Sequence, residues 1–144
     1  MSAVFALWAK SKPPHALWRH LLDVGAVASE IVRLYGPVEG FDDRLVALLA
    51  ALHDIGKADP LFQFQVDDPA LIDPLRAEGL DAEGQAGTSY RHETRSSEWL
   101  MGWLPNRAGW SKPPVRQLRR VLQAHHGSFQ SQLSGDGHFR QKER

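Results

Sequence analysis

The sequence predicts an all-α domain, on three observations. Apolar residues recur at three- and four-residue steps along most of the chain, helix caps and first-turn prolines punctuate those runs, and no alternating strand pattern rises above background. The length of 144 residues suits one such domain, because a chain of that size buries ~68–70% of the surface its unfolded form exposes.

The first helix is expected from about His15 to Tyr35, where Leu17, His20, Val24, Val27, Ile31 and Leu34 form one stripe, and Gly36-Pro37 ends it. Asp42 or Asp43 caps a second helix whose inner stripe is Leu45, Leu48, Leu49 and Leu52; it runs up to His53-Asp54, with Gly56 as its stop. Asp59-Pro60 reads as a cap followed by a first-turn proline, so a short helix through Phe62 and Phe64 follows at once. Residues 67–90 carry clustered Asp, Pro and Gly, a composition for one short helix at most, with a mobile loop near 80–90. Helical spacing returns at His92, Ser96, Trp99 and Trp103, closed by Pro105-Asn106 and Gly109. A last helix starts after Ser111, with Pro113 and Pro114 in its first turn and Leu118, Leu122 and His125 inward; Gly127 stops it. Past Gly127 the chain is polar, and residues 128–144 are expected to be a mobile segment or the start of helices that are missing.

Composition excludes several classes of function. With no cysteine there is no disulfide framework, no thiolate-ligated zinc, no iron–sulfur cluster and no thiol nucleophile, which leaves histidine and carboxylate as metal ligands. The longest apolar run, Leu45 to Leu52, is far short of the ~20 residues of a membrane span, and the N-terminus lacks a signal-peptide pattern, so a soluble cytoplasmic protein is expected. The 17 basic and 17 acidic residues are unevenly placed: residues 1–35 carry +2, 36–93 carry −8 and 94–144 carry +6. A nucleic-acid face opposite an acidic one, acidic groups gathered near metal, and plain solvated faces all fit that division.

The histidines are the informative feature. His20, His53, His92, His125 and His126 lie on or beside the apolar faces of four predicted helices, and His53 is followed directly by Asp54. One such residue is ordinarily a core histidine bonded to backbone. Five would need scarce polar partners, each unpaired group costing ~1–3 kcal/mol, whereas one or two divalent cations satisfy them together. Adjacent residues diverge by ~100° in a helix, so His53 and Asp54 reach one centre only where the helix ends, and His125-His126 poses the same geometry before Gly127. A carboxylate there can bridge two ions, and structural histidines are the alternative.

His53-Asp54-Ile55-Gly56-Lys57 matches the signature of the HD superfamily of metal-dependent phosphohydrolases. Around it stand Leu7-Trp8-Ala9-Lys10, His20-Leu21-Leu22-Asp23-Val24 with Ala26-Val27-Ala28, Phe62-Gln63, Arg91-His92-Glu93 and Ala124-His125-His126-Gly127. Together, from residue 7 to 127, these resemble the HD nuclease domain of the CRISPR-associated type I helicase-nuclease. The resemblance implies an HD-domain helical bundle over residues 1–127 with a central metal site, and metal-dependent cleavage of the single-stranded DNA displaced when the CRISPR surveillance complex opens its target. It also implies site residues. His20, His53 and Asp54 match ligands of one metal, and Asp54, bridging, with His92, His125 and His126 matches those of a second. Lys57 matches a lysine beside the metals that meets charge growing on the phosphoryl oxygens, so Asp54 and Lys57 are the residues implied to carry catalysis.

Family members continue beyond the His-His pair and supply a later aspartate to the first metal. Here the sole aspartate after the pair is Asp136, in a Gly135-Asp136-Gly137 turn that does not map to that ligand, so the expectation is either a C-terminally truncated fragment or a naturally short form, with a weakened first metal site and an exposed core face.

Phosphodiester hydrolysis needs a nucleophile at neutral pH and compensation of charge on the attacking and leaving oxygens, which two cations supply. An imidazole-rich site suits manganese, nickel, cobalt or iron better than magnesium, whose preference is oxygen. Arg116, Arg119 and Arg120, on the helix leading to His125, offer a sequence-tolerant DNA backbone contact or an exposed polar face, with Lys112 and Arg107 nearby. Trp8 and Trp18 offer base-stacking faces, although tryptophan in a helical domain is ordinarily core; His15 and His138 read as surface residues. No Gly-x-x-x-x-Gly-Lys-Ser/Thr loop is present, so a helicase module, on the same or a separate chain, would supply unwinding. Beside the nuclease stand two other readings, an HD phosphohydrolase acting on nucleotides or cyclic nucleotides and a non-catalytic metal-binding or docking fragment.

Overall fold

A computed structural model describes residues 2–82, 90–107, 118, 119 and 121–123. Its elements are β1 (Trp8–Ser11), β2 (Pro14–Ala16), α1 (Leu17–Tyr35), α2 (Asp43–Leu52), α3 (Pro60–Gln63), α4 (Pro69–Ala77) and α5 (His92–Arg107), with 3-10 turns at Ala3–Phe5 and Ile55–Ala58. The domain is mainly helical, as expected, with one short antiparallel hairpin that the sequence pattern did not announce.

That hairpin pairs Trp8 with Ala16, Lys10 with His15 and Ser11 with Pro14, with an irregularity between Trp8 and Lys10. Strands of four and three residues are too short to show alternation, and the turn carries Lys12-Pro13 in place of an Asn-Gly signal. Their pairing is secured from outside. Gln63 accepts from the Trp8 N–H at 3.0 Å and donates to the Trp8 carbonyl at 2.8 Å, as a neighbouring strand would.

The hairpin also corrects the start of the first helix. His15 lies in β2, and α1 begins at Leu17 without a side-chain cap, because its N-cap is Ala16, which has no side-chain acceptor; the Leu7 carbonyl takes the Leu17 N–H at 2.8 Å. Its end agrees with the sequence: Gly36 adopts φ 94°, and its N–H bonds the Val32 carbonyl.

The other boundaries follow local chemistry. Asp42 accepts from Arg44 N and Leu45 N at 3.0 and 3.2 Å and starts α2. Asp59 accepts from Leu61 N at 2.9 Å with Pro60 in the first turn of α3, and Asp68 accepts from Ala70 N at 3.0 Å with Pro69 in the first turn of α4. Helix α4 is the single helix between residues 67 and 82. The loop expected near 80–90 falls mostly outside the described residues, as do Ser111, Pro113, Pro114, Gly127 and all of 128–144.

Helix α1 turns a different face inward from the one its periodicity favours. Leu17 and Val32 are buried, but Val27, Ile31 and Leu34 are 59, 51 and 60% exposed. Contact with α2 runs instead along small residues. A Cβ on Gly25 would stand 3.1 Å from the Ala51 Cβ and 3.4 Å from the Ala47 carbonyl, so the two backbones approach closely. In α2, Leu49 is buried and Leu48 is exposed.

Two apolar clusters flank the centre. Leu7, Trp8, Ala9, Leu17, Phe62, Ile72 and Leu75 join the hairpin, α1, α3 and α4. Leu100, Leu104 and Leu122 form the other, with Leu52, Met101, Trp103 and Leu118 against it, which bears out the inward placement of Leu118 and Leu122. Trp8 is core, its ring 4.8 Å from that of Phe62.

Candidate metal centre

Helix α2 stops at Leu52, and this lets consecutive side chains converge. His53 is its C-cap at φ −56° and ψ −34°, Asp54 turns to φ −105° and ψ 12°, and the 3-10 turn Ile55–Ala58 carries the chain away. His53 Nε2 thereby comes within 3.2 Å of Asp54 Oδ2.

Gly56 has another role than a left-handed stop. The glycines with positive φ among the described residues are Gly36, Gly40 and Gly79. At Gly56 the first turn of α5 comes so close that a Cβ would meet the His92 carbonyl at 2.2 Å, Ser96 N at 2.6 Å and Ser96 Oγ at 2.9 Å. Its N–H donates to Ser96 Oγ at 2.8 Å, and the Tyr90 hydroxyl donates to its carbonyl. Burial pushes the Tyr90 phenol up, so it stays protonated as that donor.

This approach sets His92 beside Asp54. The carboxylate, 3% exposed, has His20 Nε2, His53 Nε2 and Lys57 Nζ at 2.9, 3.2 and 2.7 Å from Oδ2, and His92 Nε2 at 3.2 Å from Oδ1. Burial alone would raise the Asp54 pKa. The hydrogen bonds from His53, His92 and Lys57 overcome it and hold the carboxyl well below the usual range.

The imidazoles differ among themselves. Burial lowers the His20 pKa despite the bond to Asp54, whereas at His53 burial is outweighed by Asp54 and the Ala50 carbonyl, and the pKa rises. The 2.8 Å contact of His53 Nδ1 with the Ala50 carbonyl is informative, since a carbonyl can only accept. Nδ1 therefore carries one proton, and Nε2 carries the other toward Asp54 in the metal-free protein; once Nε2 gives its proton up, the Nδ1–H bond leaves the Nε2 lone pair directed at the centre, the tautomer a metal ligand needs.

His20, His53 and Asp54 each offer a ligand atom, and these atoms lie within 4.8 Å of one another. Two imidazole nitrogens and a buried carboxylate oxygen suit a divalent transition metal. Behind His92, Glu93 Oε2 stands 3.7 Å from Nδ1, and Glu93 is itself held by Arg91 Nε at 2.6 Å.

A family model described as "Cas3, HD domain" matches residues 8–144. The chain belongs to the Cas3 HD-domain family. A curated relative, "CRISPR-associated endonuclease/helicase Cas3" of Thermus thermophilus, is 42% identical over 74 residues, which cover 42% of this chain and 8% of that relative. The match thus spans a small part of the relative's length. No solved structure matches.

In this Cas3 HD domain, the structure brings together His20, His53, Asp54, Lys57 and His92. His125, His126, Arg116 and Arg120 lie outside the described residues, and so do Lys112, Asp136 and His138; Arg119 is half-buried. Trp18, on α1, is half-buried, its ring 6.0 Å from that of Phe5 and 5.0 Å from the Arg19 guanidinium. His15 is nearer the centre than its sequence context suggested, its ring 6.0 Å from that of His20 and its Nε2 3.3 Å from Asp23 Oδ2.

Sequence reasoning assigned no role to Ser96, Tyr90, Glu93 or Gln63. The available signal was weak: Ser96 follows His92 by one helical turn and Gln63 follows Phe62, but neither spacing reveals a partner 40 or 55 residues away. Among the described residues, no helix is long and apolar enough to cross a membrane.

Proposed function

We propose that this domain is a metal-dependent nuclease that cleaves single-stranded DNA in type I CRISPR interference, acting in the cytoplasm beside a helicase module and the surveillance complex. The observation that carries the reading is the division of Asp54: Oδ2 faces His20, His53 and Lys57, while Oδ1 faces His92. A carboxylate addressed on both oxygens by separate imidazoles suits a bridge between two cations, with His125 and His126 completing the second ligand set. The name of the Thermus relative, endonuclease and helicase, agrees with that use.

Bound divalent metal, with manganese, nickel, cobalt or iron ahead of magnesium, would supply Lewis acidity toward a phosphodiester and a more acidic water. The chain's own residues do the rest. His20, His53 and Asp54 would hold the first ion, and the Ala50 carbonyl fixes the proton on His53 Nδ1. Lys57 Nζ, 2.7 Å from Asp54 Oδ2, neutralises that carboxylate in the metal-free protein and lies ready to meet the anionic phosphoryl group. Arg116, Arg119 and Arg120 draw the DNA backbone toward the centre without reading bases.

The test is degradation of circular single-stranded DNA by metal-stripped protein, with manganese, nickel, cobalt or magnesium returned singly and Asp54→Ala as control. Cleavage restored by a transition metal and lost in the variant supports the nuclease. Cleavage of nucleotides or cyclic nucleotides in its place would assign the site to small substrates, and metal bound without any hydrolysis would assign the chain a binding or docking role.

A further inference from the structure

The motif pair Leu7-Trp8-Ala9-Lys10 and Phe62-Gln63 finds no use in metal binding, yet the fold joins the two through one side chain. Gln63 is fully buried. Its Oε1 accepts from Trp8 N at 3.0 Å, its Nε2 donates to Trp8 O at 2.8 Å and to Lys57 O at 2.6 Å, and its own carbonyl accepts from the Trp8 indole N–H at 3.1 Å. The amide group thus has both of its donor hydrogens and its oxygen engaged in a dry environment, where its geometry is fixed.

The Lys57 carbonyl needs that partner. A 3-10 turn of four residues leaves its last carbonyls without intrahelical donors, and in Ile55–Ala58 the Gln63 amide takes the one at Lys57. The lysine stem then runs beside Phe62, with Nζ 5.6 Å from the ring centroid, to end on Asp54. Phe62 in turn packs on Trp8, and the hairpin that holds Trp8 feeds directly into α1 and His20. One amide therefore ties the segment bearing His20 to the segment bearing Asp54 and Lys57.

We propose that Gln63 is a positioning residue for Lys57, fixing the backbone from which the ammonium reaches the centre through its bond to the Lys57 carbonyl and its clamp on Trp8. The catalytic meaning of that position rests on the nuclease reading; the positioning itself does not.

The experiment separates the two. Acylation of Lys57 by acetic anhydride in the metal-free 144-residue chain is followed by peptide mass spectrometry, with exposed Lys12 as the internal reference. Gln63→Met removes all three side-chain bonds and should raise the Lys57 rate about tenfold relative to Lys12, the scale set by losing the one buried bond to the Lys57 carbonyl. Gln63→Asn, a milder change that keeps the amide but is one methylene too short to reach the Trp8 and Lys57 carbonyls together, should raise it about twofold. In hydrolysis of bis-p-nitrophenyl phosphate with manganese, Gln63→Met should lower kcat about tenfold at unchanged KM and unchanged bound metal, and should add nothing in a Lys57→Ala background.

An unchanged Lys57 acylation rate in folded variants overturns the proposal, as does full additivity of the Gln63 and Lys57 losses. If Gln63→Met does not fold, Gln63→Asn decides by the same acylation readout. If the parent chain hydrolyses no phosphodiester, the nuclease reading fails, and acylation still tests the positioning.

Discussion

Gly56→Ala tests whether the centre is assembled by the close approach of α5 to the turn after Asp54. The added Cβ would lie 2.2 Å from the His92 carbonyl oxygen, 2.6 Å from Ser96 N and 2.9 Å from Ser96 Oγ, where ordinary contact begins at 3.4 Å. Two of these atoms are backbone, so no rotamer change relieves the clash and the first turn of α5 must retreat by about 1 Å. Overpacking of that kind together with loss of the 2.8 Å bond from Gly56 N to Ser96 Oγ should cost about 2–4 kcal/mol. For a chain of this length that is a fall in Tm of roughly 6–20 °C.

The same retreat carries His92 away from Asp54 Oδ1, now 3.2 Å distant, so metal affinity should weaken along with stability. Thermal unfolding by circular dichroism and metal titration by calorimetry read the two effects. Gly25→Ala is the control, since its Cβ meets the Ala51 Cβ at 3.1 Å, so α1 and α2 need part by only a few tenths of an ångström, while alanine gains ~1 kcal/mol of helix propensity; its Tm should stay within roughly 4 °C and its metal binding should not change. A Gly56→Ala protein as stable as the parent, with the same metal affinity, would falsify the close-approach argument.

Asp42→Ala removes the acceptor for Arg44 N and Leu45 N, and urea unfolding should show a loss of ~0.5–2 kcal/mol with metal stoichiometry intact; a change in stoichiometry would mean that the α2 cap reaches the centre. Tyr90→Phe removes one of the two donors to the Gly56 carbonyl, leaving the Asp59 N–H at 3.1 Å, and should cost ~0.5–1.5 kcal/mol in the same assay, whereas a neutral result would dismiss the contact as unimportant. Replacing Arg119 and Arg120 by Ala should weaken single-stranded DNA binding at low salt and flatten its salt dependence by up to about 1.4 units in log–log slope, with metal content unchanged. An unaltered slope in a filter-binding titration would remove both from the DNA path.

What the sequence determined by itself was local. Asp42 and Asp59-Pro60 started helices where they were expected, Gly36 ended one, and the pairing of His53 with Asp54 at a helix end brought both groups to one centre. Those features depend on atoms a few residues apart, so the string of residue types contains them. The histidines were legible as a set for a related reason: several imidazoles on apolar helix faces are costly unless they share a purpose, and His20, His53 and His92 do converge on Asp54.

Tertiary structure decided the rest. Whether α1 turns Val27, Ile31 and Leu34 inward depends on what stands opposite, and the close Gly25–Ala47–Ala51 approach rotated that stripe outward. The hairpin exists because Gln63 completes the hydrogen bonding of Trp8, and Gly56 is small because His92 and Ser96 arrive beside it from far along the chain. Periodicity records how apolar a face is; only packing selects its partner, and only the folded chain places a glutamine 55 residues from the backbone it supports.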